Sequence, residues 1–466
     1  MFERYRTIHF VGIGGIGMSG IAEVLHTLGY EVTGSDMKES DTVLRLRDIG
    51  IKVFVGHRAE NLDDAHVVVV SSAVSPENPE VAAAKARSIP VIPRAEMLAE
   101  LGRLKYGILI AGSHGKTTTT SLVATILSHA DMDPTVVIGG KLRSLGSNAR
   151  LGQGDFIVAE ADESDGSFLK LSPTIAVVTN IDREHMDFFK SMDSLTNAFV
   201  SFIDKVPFYG LSILCIENRY VSEILPLLHR RYLTYGLSKE ADIYAINIRN
   251  GFLSVSFDVV YKGENIGNVR APLPGIHNVL NSLAAIAVAI ELKISTKKIF
   301  DALQGFSGIQ RRCEFKGEVN GIRVFDDYGH HPSEIRATLE AVRNSLESES
   351  ENSGSVRGRL IVLFQPHRYS RTKDLLHEFG SCFVNADLVF LLDIYPAGEK
   401  PIEGINSEAI LKEIRANGHK DVNYIPERDV FIRDITGRLR PQDVLLTLGA
   451  GDVWKAGEDL LVRMRA

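Results

Sequence analysis

Short apolar runs alternate with amphipathic segments over the first hundred residues. The apolar runs are TIHFVG, EVTGSD, KVFVG and AHVVVVSS, and the segments MSGIAEVLHTLGY and TVLRLRDIG have the pattern of helices. Strands that alternate with helices form parallel sheets. Residues 7–98 are therefore predicted to form a parallel α/β layer. The segment RAEMLAELGRLKYG is predicted to link this layer to the next.

A second set of apolar runs follows, and its pattern changes part of the way along. KYGILIAG, PTVVIGG, DFIVAEAD and TIAVVTN are typical of buried strands. Residues 241–270 instead alternate apolar and polar positions, with Asn-Gly and Lys-Gly pairs between the runs, which predicts an antiparallel ribbon. PGIHNVLNSLAAIAVAIEL then predicts a strong helix.

A third α/β unit begins near Gly308. GIRVFDDY, RLIVLFQ, ADLVFLLD and QDVLLTLG are predicted strands, and PSEIRATLEAV and TKDLLHEFG are predicted helices. The low-complexity stretch SESENSGS at 348–355 is predicted to be a mobile surface loop. The pattern predicts an α/β protein of three domains, at residues 1–99, 100–309 and 310–466, of which the first and third are Rossmann-like.

Composition and charge narrow the class of protein. A chain of 466 residues is too long to fold around one hydrophobic core, so more than one domain is expected. Its net charge of -7 argues against non-specific binding to nucleic acid or membrane surfaces. Cys215, Cys313 and Cys382 are widely spaced, as expected in a reducing cytoplasm. We find no signal peptide and no apolar run long enough to span a bilayer, so a cytoplasmic protein without nucleic-acid or membrane partners is predicted.

The first glycine-rich turn is Gly12-Ile13-Gly14-Gly15-Ile16-Gly17, between a predicted strand and a predicted helix, and Asp36 ends the next strand. This arrangement is typical of diphosphate binding, with an acid for a ribose hydroxyl. It is only weakly specific for NAD, and a tight turn without a ligand is the less favoured alternative.

The stretch GSHGKTTTT, from Gly112, resembles a phosphate-binding loop that is two residues shorter than the usual pattern. Its position between strand and helix predicts that backbone N–H groups of Gly115 to Thr118 face phosphate oxygens. Lys116 would supply a positive charge and Thr117 a hydroxyl for Mg²⁺. We therefore predict a central P-loop ATPase-like domain with a mostly parallel sheet.

Acidic residues follow a neighbouring strand. The stretch EADESD contributes Glu160, Asp162, Glu163 and Asp165, and Glu160 is predicted to end its strand beside the phosphate loop. Such oxygen ligands suit Mg²⁺, whereas a solvated acidic loop is the alternative. His185, after the next strand, could reach the same cleft, but its spacing alone favours neither a functional nor a structural role.

Two polar clusters end strands of the third unit. They are DDYGHHP at 326–332 and QPHRYSR at 365–371. The arginines at 368 and 371 could clamp a carboxylate or phosphate. The adjacent histidines favour hydrogen bonding over zinc, since neighbouring side chains diverge. Arg311 and Arg312 could reach the phosphate site, or form a linker salt bridge.

Taken together, these residues closely resemble the Mur ligase family. GSHGKTTT is similar to that family's phosphate loop. The motifs EADES, TNIDREHMD, GIHNVLNSLAA, RRCEF, DDYGHHP, QPHRYSRT and TLGAGDV occur in the family's order over essentially the whole chain. GIGGIGMSGIAEVL with GSD, and QPHRYSRT with LDIYPAGEKP, are most similar to the members that add L-alanine.

The resemblance implies an ATP-dependent ligase of peptidoglycan precursor synthesis, with Mg²⁺ or Mn²⁺ as the metal. The lactyl carboxylate of UDP-N-acetylmuramic acid would be phosphorylated, and L-alanine would attack the acyl phosphate. The three domains would bind the UDP-sugar, ATP and the amino acid respectively, in a monomer or weak homodimer. A sister ligase that attaches a preformed peptide is the alternative, whereas a dehydrogenase or a regulatory P-loop protein leaves most motifs unexplained.

The resemblance also implies residue roles. The residues implied in catalysis are Lys116, Glu160, His185, Arg312, His330 and Arg368. The implied ATP-binding residues are Gly112, Ser113, His114, Gly115, Lys116, Thr117, Thr118, Asn278, Asn281, Arg312 and Asp327. The implied metal ligands are Thr117, Glu160 and His185.

The substrate sites follow in the same way. The residues implied at the UDP-sugar are Gly12, Gly14, Gly15, Gly17, Asp36, His57, Ser71 and Ser72. Those implied at the amino acid are Tyr328, His330, His367, Arg368 and Arg371. One departure concerns the carbamylated lysine of several relatives: the matching position, near Val200, is apolar, so no carbamate is predicted.

Overall fold

The structure is a computed structural model that describes residues 6–71, 73–102, 105–138, 149–354 and 357–465. Its strands assemble into three sheets, and helices alternate with strands through most of the chain. None of the described helices combines the length and the apolar character needed to cross a bilayer.

Five parallel strands form the first sheet, in the order β3-β2-β1-β4-β5. The order reverses between β1 and β4, where the carboxyl ends of open α/β sheets form a ligand crevice. The segment predicted as a link contains a helix that runs through the predicted boundary between residues 99 and 100. The elements are β1 (Thr7–Val11), α1 (Ile16–Thr27), β2 (Glu31–Asp36), α2 (Asp41–Asp48), β3 (Lys52–Val55), β4 (Val67–Val70), α3 (Pro79–Ala86), β5 (Val91–Pro93) and α4 (Arg94–Gly102), with a short 3-10 helix at Ala59–Leu62.

The second sheet is mostly parallel and contains ten of the described strands. The elements are β6 (Tyr106–Ala111), α5 (Lys116–His129), β7 (Thr135–Val137), β8 (Ala149–Arg150), β9 (Phe156–Glu160), β10 (Ile175–Val178), α6 (Met186–Phe189), α7 (Met192–Ile203), β11 (Leu211–Cys215), α8 (Arg219–Ile224), β12 (Tyr232–Gly236), β13 (Ile243–Gly251), β14 (Ser254–Tyr261), β15 (Glu264–Ala271), α9 (Ile276–Glu291) and α10 (Thr296–Gln304), with short 3-10 helices at Ser167–Lys170 and Leu225–Leu227. The strand order is β15-β14-β13-β12-β11-β10-β6-β9-β7-β8, which puts the phosphate-loop strand β6 between β9 and β10.

The predicted ribbon is present as β13, β14 and β15, but one of its turns lies two residues later than expected. The strand β13 continues through Asn250 and Gly251, and the turn is formed by Phe252 and Leu253. Leu253 adopts a φ of +47°, which is uncommon for an apolar side chain. The expected Asn-Gly turn was therefore wrong, whereas Lys262 and Gly263 form the second turn as predicted.

The third sheet has the order β16-β17-β21-β18-β19-β20, with only the β16–β17 pair antiparallel among the described pairs. Successive residues of β18 belong to two separate apolar cores, as Ile361 and Val362 show. Apolar cores therefore lie on both faces of this sheet, and helices cover both. The elements are β16 (Glu314–Val319), β17 (Ile322–Asp327), α11 (Pro332–Ser353), β18 (Leu360–Phe364), α12 (Tyr369–Asp374), α13 (Leu376–Ser381), β19 (Leu388–Leu391), α14 (Ser407–Ala416), β20 (Val422–Tyr424), α15 (Arg428–Thr436), β21 (Val444–Leu448) and α16 (Trp454–Arg465).

The low-complexity stretch was predicted to be a loop, and this was wrong for most of its length. The helix α11 runs through Ser353 and ends at Gly354, which has a φ of +66°. Glu349 accepts two hydrogen bonds from Arg323, at 2.9 and 2.8 Å, and Ser348 Oγ donates to the carbonyl of Asn250 at 2.9 Å. These contacts hold the last turns of the helix, although the composition alone suggests disorder.

The chain divides into two compact units. The first contains Met1–Ile246, Asp258–Val269 and Leu280–Ser307, and the second contains Asn247–Phe257, Arg270–Val279 and Gly308–Ala466.

Candidate active site

The phosphate loop of the first unit connects the end of β6 to the start of α5. Gly112 and Gly115 have φ values of +131° and +82°. Such backbone conformations favour glycine, because a Cβ atom would meet the backbone. The N–H groups in the first turn of α5 have no partner within the helix and suit an anion. The loop therefore has the geometry of an anion-binding turn, although it is two residues shorter than the usual pattern.

The residues after the neighbouring strand β10 hold this loop in shape. Asn180 Oδ1 accepts from the backbone N–H of His114 at 2.8 Å, and Thr179 Oγ1 donates to the His114 carbonyl at 2.6 Å. Asp182 Oδ2 lies 3.1 Å from Nε2 of His114, and the backbone N–H of Asp182 donates to Ser113 Oγ at 2.8 Å. The sequence analysis missed Thr179, Asn180 and Asp182, although their position at the end of a parallel strand was a usable signal.

Lys116 forms a buried ion pair with Glu163. Its Nζ atom donates to the two carboxylate oxygens at 3.0 and 2.9 Å and to the Gly112 carbonyl at 2.5 Å. Burial lowers the pKa of Lys116, but the carboxylates of Glu163 and Asp162 raise it by more, so the ammonium is kept. Burial pulls the pKa of Glu163 upward and Lys116 opposes that change. Lys116 is therefore protonated, and its side chain turns back over the phosphate loop towards Gly112 and Glu163.

A group of side chains that could hold a cation lies beside this pair. Nε2 of His185 is 3.8 Å from Glu163 and 3.8 Å from Glu184, and one ligand atom of each residue lies within 4.8 Å of the others. Two carboxylates and an imidazole suit Mn²⁺, and the carboxylates also suit Mg²⁺. Glu184 was missed by the sequence analysis, and Glu163 was named there only as one of four acids.

The other expected metal ligands lie at the same edge of the sheet. Glu160 ends β9 and is paired in register with Ile110 of β6, next to the phosphate loop. Thr117 is buried in the first turn of α5, only 8% exposed. The structure thus places Glu160 and Thr117 near the loop, and it adds Glu184 to the candidates.

The two expected adenine-binding asparagines have different surroundings. Asn281 Oδ1 accepts from Thr119 Oγ1 at 3.2 Å, and a Cβ on Gly115 would come within 2.5 Å of that oxygen. Asn278 belongs to the second unit, where its amide donates to the Pro274 carbonyl at 2.7 Å. Both side chains are buried.

The glycine turn of the first sheet already holds the acid that was expected to bind ribose. Asp36 Oδ2 accepts from the backbone N–H of Gly14 at 2.9 Å, and a Cβ on Gly14 would lie 2.9 Å from the same oxygen. Gly12 has a φ of +81° and Gly15 is the N-cap of α1. Asp36 therefore shapes the turn. It also accepts, through Oδ1, from the N–H of Lys38 at 3.2 Å.

The remaining residues expected at the UDP-sugar lie at the ends of the flanking strands. Ser71 follows β4, and its backbone N–H donates to Val11 at 3.3 Å. His57 follows β3 and contacts Ser35 at 2.9 Å. Ser72 lies outside the described residues.

Arg94 connects the first sheet to the acidic loop of the second sheet. Its guanidinium is 3.2 Å from Asp162, and a Cβ on Gly17 would come within 2.5 Å of the same guanidinium. Gly17 is thus required for close approach of Arg94 to α1. The sequence contained no local signal for this contact, because it joins positions 68 residues apart.

In the second unit, Arg311 holds the ends of two adjacent strands together. Its guanidinium donates to Asp326 at 2.9 Å and to the carbonyls of Gly449 and Gly451 at 2.6 and 3.0 Å. It also lies 5.0 Å from the centre of the Tyr328 ring. Arg311 is therefore structural, which separates it from Arg312.

Arg312 and Asp327 share the strand end of β17. Arg312 is 3.7 Å from Glu334 and 5.7 Å from the Tyr328 ring. Asp327 accepts from the N–H groups of Cys313 and Gly329, both at 2.7 Å. Burial raises the pKa of Asp327 to about 6, although Arg312 opposes this. The pKa of the Asp327 carboxyl group therefore lies close to neutral pH, beside the guanidinium of Arg312.

Three rings of the expected amino-acid site, together with the ring of Tyr395, form a row in which each ring contacts the next. The ring centres are 5.5 Å apart for Tyr328 and His330, 5.7 Å for His330 and His367, and 5.6 Å for His367 and Tyr395. Burial lowers the pKa of His367 to about 3, and neighbouring cationic groups add to this, so the ring is neutral at pH 7. Tyr395 was not among the expected residues.

Arg368 and Arg371 stand beside this row. Arg368 has a φ of +72°, an uncommon conformation outside glycine, which clusters at functional sites. Its backbone N–H donates to Tyr395 at 2.9 Å. Arg371 lies 3.4 Å from Nδ1 of His367. The expected residues of the second unit are therefore brought together.

We expect acid to destabilise the protein in part through His277. Burial lowers its pKa to about 4, with a contribution from Arg312. The unfolded chain takes up this proton near pH 6.5, so stability is full above that pH and falls as the pH drops towards 4. The loss is up to about 3 kcal/mol, since one pKa unit corresponds to about 1.4 kcal/mol. Urea unfolding of wild type and His277→Gln between pH 4 and 7 measures it; equal pH slopes would contradict it.

Comparison with known proteins identifies the family. Three family models match: the Mur ligase family, catalytic domain, at residues 7–106; the Mur ligase middle domain, at 110–289; and the Mur ligase, glutamate ligase domain, at 311–451. The UDP-N-acetylmuramate–L-alanine ligase of Geobacter sulfurreducens is 57% identical over 465 residues, covering 100% of this chain and 99% of that protein. The protein of the same name from Geobacter sp. (strain M21) is 56% identical over 466 residues, with coverage of 100% and 99%.

A solved structure extends the likeness to the fold. The UDP-N-acetylmuramate-alanine ligase of Thermotoga maritima has a TM-score of 0.83 at 29% identity, covering 98% of this chain and 99% of that one. The murein peptide ligase of Psychrobacter arcticus shares the fold, with a TM-score of 0.72 at 24% identity and coverage of 98% of both chains. The predicted three-domain α/β class, with Rossmann-like outer domains, is confirmed. The chain belongs to the Mur ligase family.

Proposed function

We propose that this chain is an ATP-dependent ligase that joins L-alanine to the lactyl carboxylate of UDP-N-acetylmuramic acid. The observation that carries the proposal is the phosphate loop, whose charged Lys116 lies beside the acidic group of Glu163 and Glu184. The two relatives at 56–57% identity, both named UDP-N-acetylmuramate–L-alanine ligase, support the choice of substrates. The reaction belongs to peptidoglycan precursor synthesis, in the cytoplasm.

The phosphate loop would bind ATP. Backbone N–H groups in the first turn of α5 face the phosphates, and Lys116 moves its ammonium from the Gly112 carbonyl to the transferred phosphoryl group. The first step joins a carboxylate oxygen to the γ-phosphorus and releases ADP. Because two anions must approach each other, fixed cations lower the barrier. Arg312 is proposed as the second cation, and Asp327, Asn278 and Asn281 as contacts to the nucleoside.

The acidic group would hold the metal. Glu163, Glu184 and His185 offer two carboxylates and an imidazole, and Thr117 and Glu160 lie at the same sheet edge. This donor set fits Mg²⁺ or Mn²⁺. The metal would neutralise charge on the phosphate oxygens.

The amino acid would bind in the second unit. Arg368 and Arg371 would pair with the carboxylate of L-alanine, and the row from Tyr328 to Tyr395 would surround its side chain. The neutral ring of His367 adds no positive charge beside the amine. That amine attacks the acyl carbon and expels phosphate, forming the amide and releasing one proton. His330 is proposed as a positioning or proton-accepting group.

Product release tests the proposal directly. Phosphate release is measured with ATP, Mg²⁺ and UDP-N-acetylmuramate, together with L-alanine, glycine, L-serine or a preformed tripeptide. We expect the largest stimulation with L-alanine, with leakage to glycine and L-serine, because one methyl group discriminates by only about 1–3 kcal/mol. Stimulation by the tripeptide instead would support the sister ligase. Absence of phosphate release with every acceptor would contradict both.

We expect Glu184→Gln to weaken metal binding. Removing one carboxylate charge from the group should lower Mn²⁺ affinity, by about 10-fold to 100-fold on the scale of lost metal contacts. Mn²⁺ binding is measured by electron paramagnetic resonance without nucleotide. Asp165→Asn is the control, since this exposed acid lies two residues from Glu163 but outside the group. Equal Mn²⁺ affinity in both variants would argue against Glu184 as a ligand.

A further inference from the structure

The first unit contains a buried carboxylate that the proposed reaction does not use. Glu80 lies in the first turn of α3 and is 0% exposed. Its Oε2 atom accepts from the hydroxyl of Ser35 at 2.5 Å, and its Oε1 atom accepts from the backbone N–H of Arg58 at 3.2 Å and from the amide of Asn61. Nε2 of His9 is 3.6 Å away, which is long for a hydrogen bond.

These contacts keep Glu80 ionised. Burial raises its pKa, but interactions with His9, Ser35 and Asn61 outweigh burial and lower the pKa to about 2. An ionised carboxylate only accepts hydrogen bonds. The Ser35 hydroxyl must therefore donate its single proton to Glu80.

This assignment fixes the direction of the next hydrogen bond. Ser35 Oγ is also 2.9 Å from Nδ1 of His57, and the same nitrogen is 3.4 Å from Oε2 of Glu80, which is longer than an ordinary hydrogen bond. Because the Ser35 proton is used by Glu80, its oxygen accepts from Nδ1 of His57. A neutral His57 therefore carries its proton on Nδ1, and its Nε2 atom is left as an acceptor. The His57 side chain is 13% exposed, so part of it faces solvent.

The hydrogen-bonded chain of Glu80, Ser35 and His57 is called the relay here. Ser35 also connects this relay to the glycine turn. Its carbonyl accepts from the backbone N–H groups of Gly12 and Ile13, at 2.9 and 3.0 Å. One residue at the end of β2 thus holds the glycine turn through its backbone and orients His57 through its hydroxyl. The acceptor at His57 lies at the carboxyl edge of the sheet, where ligands of open α/β sheets bind.

We propose that Glu80, acting through Ser35, is a positioning residue that holds His57 in the tautomer whose Nε2 accepts a hydrogen bond from the uridine moiety of the substrate. This inference rests on the proposed function, and on the expectation from the sequence that the first domain binds the UDP-sugar of that reaction. The donor is a ribose hydroxyl or the imide N–H of the base, since the diphosphate has no proton to offer at neutral pH.

Titration calorimetry with UDP tests the relay. We expect Ser35→Ala to weaken UDP binding about threefold to tenfold, the range for one hydrogen bond. Thr27→Val is the control, because Thr27 is the last residue of α1 and its hydroxyl donates to the Glu23 carbonyl, away from Glu80, Ser35 and His57. Its UDP affinity should stay within about twofold of wild type, the usual limit for a change outside the contact. Equal losses in both variants would overturn the relay.

Analogues identify the donor. The loss caused by Ser35→Ala should disappear for one of N3-methyl-UDP, 2′-deoxy-UDP or 3′-deoxy-UDP, whichever lacks the group bound by His57. Inorganic pyrophosphate should bind wild type and Ser35→Ala equally. A weaker pyrophosphate affinity in the variant would mean that His57 serves the diphosphate as a cation, and the proposal would be wrong. Failure of wild type to bind UDP would instead refute the proposed function itself.

Histidine ¹⁵N NMR gives a readout that does not depend on a variant folding. In wild type, His57 should show a protonated Nδ1 and an unprotonated Nε2 at pH 8. Glu80→Gln can donate to Ser35 through its amide, so the Nδ1–H form of His57 should lose its dominance. Observation of an Nε2–H tautomer in wild type would overturn the proposal.

Discussion

Lys116→Met is expected to reduce turnover by roughly 10²- to 10³-fold or more, the scale for losing one group that stabilises transition-state charge. The structure adds a consequence for stability. Glu163 is 0% exposed and loses its cationic partner in the variant. Breaking a buried ion pair by removing one member costs about 3–5 kcal/mol, because the other charge stays buried.

The loss in stability should depend on pH. Without Lys116, burial raises the pKa of Glu163 above that of the unfolded chain. The folded variant then binds a proton more readily than the unfolded chain, so its stability falls as the pH rises from about 5 to 8. Urea unfolding at both pH values measures this, and phosphate release measures turnover. Wild type should show a smaller fall over the same range.

A second substitution separates the two effects. Lys116→Met combined with Glu163→Gln removes the buried charge, so the double variant should regain stability but not turnover. Recovery of turnover would show that the lysine is needed only to neutralise Glu163. A single variant as stable as wild type at pH 8 would contradict the buried pair.

Gly112→Ala is expected to destabilise the first unit and to abolish nucleotide binding. Gly112 has a φ of +131°, and an added Cβ would lie 2.1 Å from Thr179 Oγ1 and 2.9 Å from the Asn180 carbonyl. Backbone strain and overpacking each cost about 1–3 kcal/mol, so a loss of roughly 2–5 kcal/mol is expected. Because Thr179 and Asn180 also hold His114, the whole loop should shift.

Gly107→Ala is the control, on the strand β6 that leads into the phosphate loop. Its added Cβ would meet no atom closer than 3.4 Å, and Gly107 is not among the glycines with positive φ. Its stability should change by less than about 1 kcal/mol, as for substitutions without a named strain. Chemical unfolding and calorimetric titration with ATP distinguish the two variants. Unchanged ATP affinity in Gly112→Ala would show that the loop geometry is not needed for the nucleotide.

Local patterns were sufficient to predict the sheets and the loops that follow β1, β6 and β17. Strand and helix periodicity located β1, β6 and β17, and each was followed by the expected polar or glycine-rich segment. Carboxyl ends of parallel strands share one edge of a sheet, so residues far apart in sequence could be assigned to a common site. The helical ending of α11 was missed because its stabilising partner, Arg323, lies on another element.

The sequence by itself determined the glycine turns, because a positive φ is a local requirement that few other residues satisfy, and it determined which strand ends carry charge. The tertiary structure alone decided which of the four acids meets Lys116, that Glu184 and His185 meet Glu163, and that Arg94 and Arg311 tie separate elements together. It also decided that Glu80 is buried against Ser35. The physical reason is that burial and pairing of a charge depend on side chains from distant segments, whose approach no local pattern encodes.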